Sequence, residues 1–232
     1  MEAHIASAYD RDLETILALI MKMGGLVEQA ILDSSTALAE SDLDLADKVR
    51  ANDKAIDALE EKINEEAARV IALRAPMGTD LRTLLTVIKV AGALERVGDY
   101  AKNIAKRTKV VAEHSPINGS TKTLSRMATE VERMLKDTLD AYVEKNDGLA
   151  QDVIVRDQDV DQMYNALFRE FLTHMMEDPR RITTCMHLHF IAKNIERMGD
   201  HVTNIAEQVV YLVTGSMPEE PRVKTDYTAS QD

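Results

Sequence analysis

The sequence predicts an all-α protein of six long helices, arranged as two pseudo-symmetric three-helix bundles by tandem duplication. Three observations carry that prediction. Apolar residues recur at helical spacing along nearly the whole chain. Punctuation is sparse, with nine Gly and five Pro in 232 residues, whereas a sheet-rich fold needs a turn roughly every ten residues. An eleven-residue segment also occurs twice, once late in each half.

The elements follow in order. The first stripe runs from Leu13 through Ile16, Leu17, Ile20, Val27, Ile31 and Leu38, with Gly24-Gly25 as its weak spot. Ser41-Asp42 reads as a helix start, and Leu45, Val49, Ile56, Leu59, Ile63 and Val70 continue with the 3–4 alternation of a bundle helix. Ala75-Pro76-Met77-Gly78 breaks this pattern, and Thr79-Asp80 supplies a cap and an acidic first turn for a third helix reaching about Ser115. Ser115-Pro116-Ile117-Asn118-Gly119-Ser120 is the mid-chain linker. Three further helices are expected at about 121–146, 149–177 and 180–214, the last opened by Asp178-Pro179. The expected units are therefore residues 1–115 and 120–215, followed by a polar, flexible tail over 216–232.

Charge narrows the function. Forty acidic against 28 basic residues leave a net charge of −12, which disfavours direct contact with nucleic acid or anionic lipid. No apolar run is expected to span a membrane, the start lacks a signal-peptide pattern, and the single cysteine, Cys185, suits a reducing cytoplasm. His187 and His189 point to different sides of a helix, and His201 reads as a surface histidine. Met21, Met23, Met175 and Met176 read as core filling or an adaptable partner surface. No phosphate-binding loop and no nucleophile elbow are present.

The repeat brings carboxylates together. Glu95-Arg96-Val97-Gly98-Asp99-Tyr100-Ala101-Lys102-Asn103-Ile104-Ala105 matches Glu196-Arg197-Met198-Gly199-Asp200-His201-Val202-Thr203-Asn204-Ile205-Ala206 at seven of eleven positions. Upstream, Asp53 and Asp57 match Asp157 and Asp161 at an offset of 104, against 101 for the motif, and the difference is assigned to the intervening turn. If the second and third helices of each half form an antiparallel hairpin, Asp57 and Glu95 each lie 19 residues from Pro76, about 28 Å along facing helices. Asp53/Asp57 should then face Glu95/Asp99, and Asp157/Asp161 should face Glu196/Asp200.

Four converging carboxylates repel one another and need compensation. Either Arg96 and Arg197 supply it as structural ion pairs, or hard cations do: Mg²⁺, Mn²⁺, Ca²⁺ or iron suit an all-oxygen site. Asn103 and Asn204 are candidates for an extra ligand or an outer hydrogen bond, and Gly98 and Gly199 for close approach of a helix or of the cluster. An alternative reading is a carboxylate-bridged dimetal enzyme, although such bundles use Glu-x-x-His pairs and neither repeat has one.

Two copies of Glu-Arg-x-Gly-Asp-x-x-x-Asn-Ile-Ala, with Asp80-Leu81-Arg82 and the closing segment Asn204 to Gly215, resemble the PhoU family of phosphate-signalling proteins over about residues 5–215. The resemblance implies two three-helix bundles and a cytoplasmic, non-enzymatic accessory protein of the high-affinity phosphate transporter. It implies repression of phosphate-starvation genes when phosphate is plentiful, by linking the transporter's ATPase subunit to a sensor histidine kinase. A homodimer is implied, with membrane contact only through these partners. It also implies metal clusters at Glu95/Asp99 and Glu196/Asp200. Pro179-Arg180-Arg181 departs from the family's Asp-Leu-Arg, which confines any role of Asp80 and Arg82 to the first half.

Overall fold

The computed structural model describes residues 2–114, 117 and 119–218, with side chains from residue 8 onward. Much of the expected linker and nearly all of the expected tail lie outside the described residues. The helices are α1 (Glu2–Glu40), α2 (Leu43–Arg74), α3 (Thr79–Ala112), α4 (Ser120–Glu144), α5 (Asp147–Glu177) and α6 (Ile182–Thr214). No strand occurs among the described residues, and the fold is all-α with two pseudo-symmetric three-helix bundles.

The local chemistry repeats with the fold. Asp42 caps α2 by accepting from the Leu45 N–H at 2.9 Å, and Asn146 caps α5 by accepting from the Leu149 N–H at 3.1 Å. Each cap follows a residue at positive φ, Ser41 at 55° and Lys145 at 53°. The start of α3 differs from expectation. Its N-cap is Gly78 at φ 59°, without a side-chain cap bond, so Thr79 and Asp80 lie inside the helix. In the second half Asp178 caps a 3₁₀ turn, Pro179–Arg181, before α6 begins.

α1 runs through Gly24-Gly25 unbroken because packing overrides the propensity cost. A methyl group at Gly24 would stand 2.5 Å from Leu139 Cδ1, so the glycine admits α4 against α1. An 18-residue window within Ala8–Glu40 is apolar enough to span a membrane, which corrects the expectation that no run approaches that limit. Leucine, isoleucine and methionine outweigh the charged residues there, of which such a window holds at most two. In the fold Ile16, Ile20, Met23, Val27 and Ile31 are buried, and α1 packs on α2, α3 and α4.

The bundles are fused along two seams, α1 on α4 and α3 on α6, with α2 and α5 on the flanks. α3 and α6 run antiparallel: Arg82 lies 5.3 Å over the Tyr211 ring, Tyr100 lies 5.7 Å from His201, and Arg107 lies 4.4 Å over Phe190. One buried apolar cluster runs through both halves, from Ile16 to Leu212.

Candidate functional site

Each helical hairpin delivers its carboxylates to a facing pair, as the register predicts. In the first half Asp53 is buried at 4% exposure, and Asp57, Glu95 and Asp99 are half-buried. Burial first, then the charges of Asp53 and Asp99, pushes Asp57 up from its ordinary value. Burial first, then Asp99 and Asp57, pushes Glu95 up. In the second half Glu196 and Asp157 are buried at 7% each, and burial, with Asp200 and Asp161 adding, pushes Glu196 up.

The cations at these clusters differ from those expected. Arg96 approaches Glu95 at 3.5 Å and Asp99 at 3.9 Å, but its side chain is 61% exposed, so it screens weakly. Lys102 instead contacts both Asp53 and Asp99 Oδ1. Lys193 donates to Glu196 Oε1 at 2.7 Å and lies 4.9 Å over the Tyr164 ring. Arg197 is raised first by its hydrogen bond to Tyr100 across the α3–α6 seam, with Glu196 and Asp200 contributing less. The sequence reading missed both lysines. They lie three residues from a motif carboxylate, a spacing that places them on its face of the helix.

The glycines are approached as expected. A methyl at Gly98 would meet Ile56 of α2 at 3.0 Å, and one at Gly199 would meet Asp157 Oδ1 of α5 at 3.1 Å. Asn103 and Asn204 are exposed, and Asn204 lines a groove with Lys89, Arg96 and His201. His189 is half-buried against Tyr164, Phe168 and Phe190, and burial lowers its pKa. Cys185 is free and buried. Met23 is fully enclosed, whereas Met176 is 85% exposed.

An all-carboxylate donor set suits a hard cation. Glu196 Oε2 is enclosed without a hydrogen-bond partner, which leaves one buried oxygen available as a ligand. Among the described residues, however, no three His, Cys, Asp or Glu side chains are already gathered as a metal cage. Lys102 already bridges two carboxylates in the first half, and Lys193 already holds one Glu196 oxygen in the second.

Fold and site together define a duplicated helical-bundle protein with a pair of acidic clusters. A family model described as the PhoU domain matches twice, over residues 20–108 and 124–209. A phosphate-specific transport system accessory protein PhoU homolog of Rhizobium meliloti (strain 1021) is 46% identical over 228 residues, covering 98% of this chain and 96% of that protein. The crystal structure of PhoU from Pseudomonas aeruginosa superposes with a TM-score of 0.87 at 36% identity, covering 90% of this chain and 100% of that one. That of the phosphate transport system regulatory protein PhoU from Streptococcus pneumoniae gives 0.84 at 28% identity, covering 91% and 100%. The chain belongs to the PhoU family. These relatives carry the names of accessory and regulatory proteins rather than of enzymes.

Proposed function

We propose that the chain is an accessory regulator of phosphate transport. The observation that carries this reading is identity of 46% across 98% of the chain with a protein named for that role. It acts in the cytoplasm by binding, as a homodimer. It links the ATPase subunit of the phosphate transporter to a sensor histidine kinase, and represses the starvation response when phosphate is plentiful. Its action requires different affinities for the partners' signalling and resting states, since equal affinity shifts no equilibrium.

The acidic clusters are proposed as sites for iron, Mn²⁺ or Mg²⁺. Glu196, Asp200, Asp157 and Asp161 would hold a cation in the second half, and Glu95, Asp99, Asp53 and Asp57 in the first. A bound cation supplies positive charge that relieves the crowding reflected in the raised pKa values of Glu196, Glu95 and Asp57. The protein's own part is to hold paired helices at fixed register, α2 to α3 and α5 to α6.

The test is an alkaline phosphatase reporter in phosphate-rich medium, in a deletion strain carrying the wild-type gene, an empty vector or Asp99→Asn/Asp200→Asn. High output with the empty vector and repression by wild type is the expected result. Unchanged output on deletion overturns the regulator reading.

A further inference from the structure

An open groove of about 930 Å³ runs between α4 and α5 on the flank of the second bundle. Lys122, Arg126 and Arg133 of α4 line it, all exposed and, among the described residues, without an ion pair, although the chain as a whole carries −12. Arg156 closes the opposite wall, held by Glu130 and Asp137. Met163 and Ala166 add apolar surface along α5.

The duplication shows that the bundle does not require these cations. The two family-model matches begin at residues 20 and 124. At that offset buried Ile20, Met23, Val27 and Ile31 of α1 correspond to buried Leu124, Met127, Val131 and Leu135 of α4. The positions equivalent to Lys122, Arg133 and Arg156 are then Ala18, Gln29 and Asn52, and Lys22 stands for Arg126. The same helix pair thus folds in the first half with only one of these four cations.

We infer that this groove docks an acidic amphipathic helix of a partner protein. Lys122, Arg126 and Arg133 span about 16 Å along α4, three helical turns. Lys122 and Arg126 lie about one turn apart and Arg133 two turns further on, so the row matches carboxylates spaced along a helix laid beside α4. The apolar side of such a helix meets Met163 and Ala166, which is the helix-in-groove mode of recognition. This inference stands independently of the metal sites and of the regulator reading.

The test uses the full chain labelled with ¹³C-methyl methionine. The probe is a synthetic helical peptide of about 18 residues, Leu on one face and Glu on the other, and the controls are its Lys-for-Glu counterpart and phosphatidylcholine–phosphatidylglycerol vesicles. The Glu peptide is expected to shift the Met163 methyl resonance saturably while Met77, exposed at the α2–α3 turn of the first half, stays in place. Lys122→Glu/Arg126→Glu/Arg133→Glu, all surface changes, should weaken binding by about tenfold or more, and added salt should weaken it in wild type. No Met163 shift, equal binding by the triple variant, equal binding of the Lys peptide, or a Met163 response to vesicles instead of peptide each overturns the proposal.

Discussion

Lys102 of α3 closes on the buried carboxylate of Asp53 in α2, whereas Thr203, which aligns with it in the second half, returns its hydroxyl to the Gly199 carbonyl of its own helix at 2.9 Å. The second cluster draws its cation from Lys193, whose first-half counterpart is Gly92. One acidic motif is thus neutralised from opposite ends in its two copies.

Lys102→Met strands Asp53, which is 4% exposed. Breaking a fully buried pair costs about 3–5 kcal/mol, and the partial exposure of the lysine reduces this to roughly 2 kcal/mol. Urea unfolding at pH 7 should show that loss, and Lys102→Met/Asp53→Asn should recover most of it. A single variant as stable as wild type rules out a structural role for the pair.

The raised carboxylates set a pH dependence. Asp57, Glu95 and Glu196 titrate above their ordinary values in the fold, and at about 4 in the unfolded chain. Across that interval the folded state holds more protons, so their contribution is full below pH ~4 and is lost as pH rises through the folded values. Asp12, held low chiefly by its hydrogen bond to Arg69, has the opposite sign, and its contribution is lost as pH falls through its lowered value. Melting temperature should therefore decline as pH rises from about 4 through the raised values of these three carboxylates. Asp57→Asn/Glu95→Gln/Glu196→Gln should flatten that decline, and parallel profiles for variant and wild type would count against this account.

The clusters should also respond to metal. Mn²⁺ at a hundredfold over its dissociation constant stabilises the fold by about 2.7 kcal/mol per site, read as a rise in melting temperature. Glu196→Gln/Asp200→Asn should abolish the second-half share. Lys102→Met should tighten the first-half site, because the ammonium no longer competes for Asp53 and Asp99. No response to Mn²⁺, Mg²⁺ or iron in any variant removes the metal proposal.

Helix boundaries were readable where chemistry punctuates the chain, as at Ala75-Pro76 and Asp178-Pro179. The facing of Asp53/Asp57 on Glu95/Asp99 was readable because a duplicated register constrains it twice. The lysines were hidden by the same comparison: aligning the repeats draws the eye to shared positions, and Lys102 and Lys193 are where the copies differ. Gly78 as a cap was missed because Thr79-Asp80 carries the stronger capping residues, yet the positive φ needed there favours glycine. Arg197 bonds Tyr100 as well as facing Glu196 and Asp200 because α6 lies against α3, a packing that no local pattern encodes.

The buried apolar cluster that threads both halves makes the molecule, in effect, a dimer joined by its own backbone. Its two units meet at a local concentration fixed by covalent linkage, whatever the abundance of the protein. A symmetric dimer of separate chains must accept every substitution twice, at both ends of its axis. Here one copy can hold Lys102 while the other holds Thr203, and one can line a groove with Arg156 while the other keeps Asn52. Tethering removed the need for likeness, and with it the constraint that two faces of one architecture perform the same task.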